Sequence, residues 1–221
     1  PLCTLIIFGP LGGGVAFLVV YSVAWKSGTS PLRLVLAGVV VGAVAGSLQT
    51  GLFFFLHDAV LVRDAVAWTA GSLAGVGWAQ VRLAAPWTLV AVAGTLASSR
   101  YLDLLLLGDA PARAVGLHVE RVRFLLSATA VLAAGTSISV AGHVGFVGLI
   151  VPHIVRNTVG ARHRLLLLGC LVAGPALVMS ADAVARLLVS PAQLPVGVIT
   201  GAMGGVYFLI LMRRQKEMRR V

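Results

Sequence analysis

A chain of 221 residues that is 59% hydrophobic and 11% charged, with a mean hydropathy of +1.00, is excluded from the ordinary soluble domains, in which about a quarter of the residues are charged. The net charge of +10 does not indicate nucleic acid, because the cations lie in short loops and a tail between apolar segments, as in a polytopic membrane protein. Two cysteines, Cys3 and Cys170, both in apolar stretches, are too few for a disulfide framework or a thiolate metal site.

Windows of about one bilayer thickness predict spans, in chain order, at residues 5–25, 32–56, 86–107, 124–141, 165–188 and 196–212. The fold class is all-α, a transmembrane helical bundle. The chain starts at Pro1 with no cleavable signal sequence, so its beginning reads as incomplete or processed. In the second span Gly38, Gly42 and Gly46 recur every four residues, a spacing that lets helix backbones approach closely. Gly71 and Gly75 repeat it, within a moderately apolar stretch at 65–81 that carries Trp68 and Trp78 and is expected to form an interfacial or partly inserted helix. The third span carries Arg100 and Asp103 near its end. Between Gly108 and Arg121 the loop should fold into one short helix, with Asp109 as its cap, Pro111 in its first turn and Gly116 as its terminator. Such a helix offers a soluble partner an ordered surface.

The segment that follows the fourth span is anomalous. Residues 146–155 are apolar, yet they supply about half the length that a bilayer core requires. Gly142, Gly145 and Gly148 precede or interrupt the run, and Pro152 removes a helical N–H and crowds the Gly148 carbonyl. Backbone this irregular persists at membrane depth only when protein or a water-filled cavity covers it. His143 and His153 flank the segment, within reach of the carbonyls it frees. Further on, Asp182 and Arg186 form an i,i+4 pair near the outer end of their span.

Charge gives the sidedness. With the tail 213–220 in the cytoplasm, only Arg63, Arg82 and Arg186 of the 17 Lys and Arg residues lie outside, as the positive-inside rule expects. This requires the short segment to cross. Chemistry is not expected: there is no His-Glu-x-x-His, no clustered nucleophile and no Gly-x-x-x-x-Gly-Lys-[Ser/Thr] phosphate loop. No catalytic residue, metal or cofactor is assigned, and any ATPase site belongs to another chain. Two other readings stay open: an ion-gradient-driven secondary transporter, which should carry titratable residues on broken midplane helices, and a truncated, inactive remnant.

The run Gly145-Phe-Val-Gly-Leu-Ile-Val-Pro-His-Ile-Val-Arg156 resembles the hallmark of the permease subunits of type II ABC importers for ferric siderophores, haem or cobalamin. Other motifs match in order: Ser30-Pro-Leu-Arg-Leu-Val-Leu-Ala-Gly38, Trp68-Thr-Ala-Gly-Ser-Leu73 with Trp78, Gly160-Ala-Arg-His-Arg164, Ala181-Asp-Ala-Val-Ala-Arg186, and Leu194-Pro-Val-Gly-Val-Ile-Thr200 with Gly204. Arg162 stands where the family usually has Asp, and His143 where it has a small residue or Pro. The resemblance implies a single permease domain over 1–221 that corresponds to the C-terminal two-thirds of the family's domain and lacks its N-terminal third. It would hold about seven of the family's roughly ten membrane segments, the short broken helix included.

The resemblance also implies roles. Ala110, Arg113, Ala114, Val115, Gly116 and Leu117 would dock the cytoplasmic ATPase subunit, and Arg186 the extracytoplasmic substrate-binding protein. Gly38, Gly42, Gly145, Gly148 and Pro152 would shape the pathway beside a second permease copy. The expected setting is the bacterial cytoplasmic membrane, multi-pass and lipid-bounded, with the C-terminus cytoplasmic and no nucleic-acid partner.

Overall fold

The computed structural model describes residues 2–25, 28–160, 162–188 and 194–218, with side chains for 6–25, 28–160, 162–188 and 194–213. Lys26, Ala161, Arg219 and Arg220, which the motif and orientation arguments use, lie outside the described residues, as does the Cys3 side chain. Every regular element among the described residues is an α-helix: α1 (Leu2–Ala24), α2 (Pro31–Phe55), α3 (Ala59–Thr69), α4 (Trp78–Ala97), α5 (Ser99–Leu105), α6 (Asp109–Ala114), α7 (Val119–Ala141), α8 (Val147–Val159), α9 (His163–Leu188) and α10 (Val196–Met218). Five of these, α1, α2, α7, α9 and α10, are long and apolar enough to cross a membrane, and α4 with α5, bent by 47° at the break between them, is apolar and long enough only as a pair.

Two expectations change. The stretch 65–81 is not one helix: α3 ends at Thr69, and α4 begins at Trp78. Gly71 and Gly75 both have φ of +75°, a left-handed conformation that glycine adopts without steric cost. Their four-residue spacing therefore belongs to a loop and not to a helix face. The third span starts at Trp78 rather than at Pro86, because the Gly77 N–H donates to Gln80 Oε1 at 3.0 Å and the helix is initiated there. Pro86 then lies inside α4. The bend falls at Ser98, whose hydroxyl donates to the Gly94 carbonyl at 2.7 Å, a back-bond that competes with the helical ladder.

The chain divides into two compact units: Pro1–Val66 with Gly77–Val140, and Ala67–Val76 with Ala141–Val221. In the first unit α7 is the helix on which α1 and α4 pack. A Cβ on Gly9 would lie 2.5 Å from the Ser139 Cβ, and one on Gly94 2.9 Å from the Thr129 Cγ2. Phe17 and Tyr21 of α1 meet the Phe124 ring at 5.3 and 5.0 Å, within the range of favourable aromatic pairing. Among the described residues the close approach expected of Gly38, Gly42 and Gly46 is not made, since none of their atoms lies within 4 Å of a Cβ at any of the three. Glycine spacing marks a smooth helix face but does not say what covers it.

In the second unit α8 packs on α9 and α10. Val151, Val155 and Leu166 form its buried cluster, flanked by Val147, Cys170, Ala173 and Leu177. Gly169 admits the Val155 side chain, which a Cβ there would overlap.

Candidate functional site

The loop helix α6 is ordered at both ends by its own backbone. Gly108 at φ +97° precedes it, and Gly116 at φ +84° ends it. The Gly116 N–H donates to the Arg113 carbonyl at 2.9 Å and the Leu117 N–H to the Ala112 carbonyl at 3.1 Å, the paired bonds of a Schellman motif. Gly116 thus terminates the helix as its sequence position indicates. Asp109 does not act as the cap. It is the first helical residue, and its carboxylate accepts from Arg123 Nη2 at 2.7 Å. Ala112 is fully buried, whereas Ala110, Arg113, Ala114, Val115 and Gly116 are exposed and Leu117 is half-buried. One face anchors the helix, and the opposite face presents a contiguous surface.

Behind α6 lies a polar cluster that sequence reasoning did not anticipate. Arg123 is 8% exposed. Its Nη1 donates to the Thr29 carbonyl oxygen and, at 3.3 Å, to Thr29 Oγ1. Glu120 Oε2 accepts from the Thr29 N–H at 3.1 Å and from its hydroxyl at 2.6 Å. Glu120 Oε1 has no hydrogen-bond partner but faces Arg123 Nη1 at 3.5 Å and Arg113 Nη2 at 4.0 Å. Burying a charge costs free energy unless it is paired and hydrogen-bonded; Arg123 meets both conditions, and Glu120 is hydrogen-bonded through Oε2 and ion-paired through Oε1. The signal available in the sequence was Glu120 and Arg123, opposite charges three residues apart at the mouth of an apolar helix.

In the second unit, three motif segments meet around glycines. A Cβ on Gly142 (φ +67°) would overlap the Trp68 carbonyl oxygen, and one on Gly197 would overlap that of Ala70. A Cβ on Gly71 would lie 2.5 Å from the His143 carbonyl oxygen. The Ser72 N–H donates to the Ala141 carbonyl at 2.8 Å and the Gly197 N–H to that of Gly71 at 3.2 Å. Backbone is thus packed directly on backbone and the freed polar groups are satisfied internally, as irregular structure at membrane depth requires. Ser72 belongs to this junction and not to a helix face.

The junction leads into α8. Its N-cap, Phe146, has φ of 65° and is the one non-glycine residue at positive φ among the described residues. That conformation costs about 1–2 kcal/mol, and packing holds it: the ring lies on Gly204, where a Cβ would overlap it, and 6.2 Å from the Phe208 ring. This explains the downstream glycine of the sequence motif. At 13 residues, α8 extends beyond the expected 146–155 yet remains too short to span a bilayer core by itself at 1.5 Å per residue. Pro152 lies inside it, Gly148 is exposed and Gly145 is half-buried in the approach. The two histidines do not serve freed carbonyls: His143 contributes its own carbonyl oxygen to the glycine junction, and the His153 ring stands edge-on to Tyr207 at 5.9 Å.

Arg186, near the end of α9, donates from Nε to Asp182 at 2.7 Å, with its side chain 53% exposed. Gly38 and Gly42 lie on the open face of α2. Among the described residues no three His, Cys, Asp or Glu side chains are grouped to hold a metal.

Comparison with known proteins agrees with this architecture. The FecCD transport family model matches residues 1–214. The chain belongs to the FecCD transport family. As a FecCD family chain it is 38% identical over 187 residues to the hemin transport system permease protein of Yersinia pestis, covering 85% of this chain and 56% of that protein. It is 38% identical over 209 residues to a cobalamin import system permease protein of Halobacterium salinarum, covering 94% and 55%. It is 34% identical over 208 residues to the iron(3+)-hydroxamate import system permease protein of Bacillus subtilis, covering 94% and 62%. The chain therefore spans less than two thirds of the length of these relatives. A solved structure described as a metal-chelate type ABC transporter in an inward-facing conformation superposes with a TM-score of 0.83 at 28% identity, covering 95% of this chain and 65% of that one. The all-α FecCD fold is thereby established.

Proposed function

We propose that this chain is the membrane permease of an ATP-binding-cassette importer for an iron chelate, haem or cobalamin delivered by a binding protein. The observation that carries the reading is the family match across residues 1–214, supported by relatives named as permeases for hemin, cobalamin and ferric hydroxamate. Both compact units serve one permease domain over 1–221. The chain is a transport subunit in the bacterial cytoplasmic membrane with its C-terminus inside, and ATP is hydrolysed on a separate subunit. Its two other partners are an extracytoplasmic binding protein and a second permease copy. Reconstituting the complete transporter in vesicles tests this: the binding protein should stimulate ATP hydrolysis and drive uptake of the chelate. Absence of both from a correctly assembled complex would count against it.

The site residues take these roles. Ala110, Arg113, Ala114, Val115, Gly116 and Leu117 form the ATPase docking surface, because a short capped helix is a rigid contact that can be pushed. Arg186 docks the binding protein. Its Nε is held by Asp182, which aims the rest of the fork, and charge pairs of this kind steer encounter and fix register. Arg186→Glu is expected to weaken binding-protein affinity about tenfold, with partial recovery when the partner's acidic contact is reversed; unchanged affinity in a titration would refute the assignment.

Gly145, Gly148 and Pro152 shape α8 beside the pathway, and Gly38 and Gly42 keep the α2 face smooth. Because none of the described residues approaches within 4 Å of a Cβ at Gly42, Gly42→Leu should leave the chain's own thermal stability within about 0.5 kcal/mol of the parent while reducing uptake. A large stability loss would show instead that the glycine packs inside the chain. Asp182, paired to Arg186, is poorly suited to the free titratable carrier that a gradient-driven transporter requires.

A further inference from the structure

A surface that receives a push is useful only when something carries the push into the spans. α6 has six residues and cannot transmit force along its own length. Besides the buried Ala112 and the longer Arg113–Glu120 ion pair, its hydrogen-bonded contact with the deeper structure runs from Asp109 to Arg123, which lies in the first turns of α7. The same guanidinium reaches Thr29, 94 positions away in sequence, in the segment that opens into α2. Glu120 grips that segment from the other side through both the Thr29 N–H and its hydroxyl. Gly28, at φ +113°, brings the chain so close that a Cβ there would lie 3.0 Å from Glu120 Oε1. One buried cation thus joins the docking helix, the start of α7 and the entry to α2.

We propose that Arg123 is the positioning residue through which movement of α6 is delivered to α7 and α2, with Asp109, Glu120 and Thr29 as its contacts. Networks of hydrogen bonds and ion pairs between rigid helices are the physical means by which such coupling passes. Arginine suits the task because its planar fork binds several acceptors at fixed angles, which the compact ammonium of lysine does not. The inference rests on the reading of α6 as the ATPase docking surface.

The test uses the complete transporter, full-length permease with its ATPase and binding protein, in proteoliposomes. Chelate uptake per ATP hydrolysed is measured for the parent, Asp109→Asn, Arg123→Lys, Thr29→Val and the double variant Asp109→Asn/Arg123→Lys. A cysteine placed at Ala110 and cross-linked to the ATPase reports docking separately. The expected result is parental cross-linking with uptake per ATP lowered about tenfold. The double variant should be no worse than Arg123→Lys, because both changes interrupt one path. Cross-linking intact with an unchanged ratio would overturn the proposal and leave the cluster a static staple. Reduced cross-linking at an unchanged ratio would overturn it equally. Failure of the parent itself to cross-link would sink the docking reading, a separate result.

Discussion

Gly142→Val should remove about 3 kcal/mol of stability, adding roughly 1–2 for left-handed backbone at a residue with a Cβ to about 1–3 for overpacking. At φ +67°, with the Trp68 carbonyl oxygen where a Cβ would stand, neither contribution can be relieved without separating segment 67–76 from the approach to α8. Against a total of about 5–15 kcal/mol, this removes roughly a fifth to three fifths of the margin, and the variant should show a lowered unfolding midpoint and a reduced folded yield in detergent. Gly197→Ala isolates the overlap, because that position meets the Ala70 carbonyl oxygen without positive φ, and it should cost less. Gly174→Ala is the control: nothing lies within 4 Å, and alanine in a helix interior is favoured by up to about 1 kcal/mol. A Gly142→Val chain that unfolds like the parent would refute the backbone-on-backbone junction.

Val115→Asp should abolish capture of the ATPase subunit while leaving the permease folded. Val115 is 65% exposed at the end of α6, so a carboxylate there costs the isolated chain less than about 0.5 kcal/mol. Desolvating the same charge at the centre of an interface costs several kcal/mol, or at least about a hundredfold in affinity. Co-purification and binding-protein-stimulated ATP hydrolysis should fall together, with the melting temperature unchanged. Normal capture would place the docking surface elsewhere.

The helices were largely legible because membrane spans are written as long apolar runs. α1, α2 and α9 begin and end within three residues of their expected bounds, and α10 begins where expected but runs on to Met218. The errors arose where one residue type serves two purposes. The hydropathy windows placed the third span at 86–107, yet α4 begins eight residues earlier at Trp78. Gly71 and Gly75 carried the spacing of a helix face and instead supply left-handed turns. α7 begins at Val119 rather than at 124 because Glu120 and Arg123 lowered the hydropathy of its first turns. Their mutual pairing, through Thr29, is what permits them to be there.

By itself the sequence determined the membrane class, the resemblance to the FecCD family, the short apolar helix and the loop helix that Gly116 ends. Each is a local property, set by hydropathy, proline and glycine placement, or adjacent residues. Only the tertiary structure decided that Gly142, Gly71 and Gly197 lock three distant segments together, that Gly204 exists to seat Phe146, and that Asp109 answers Arg123 instead of capping its own helix. Those assignments depend on which backbone atoms come to rest within van der Waals distance. Composition and spacing along the chain do not specify that distance; the packing of the folded helices does.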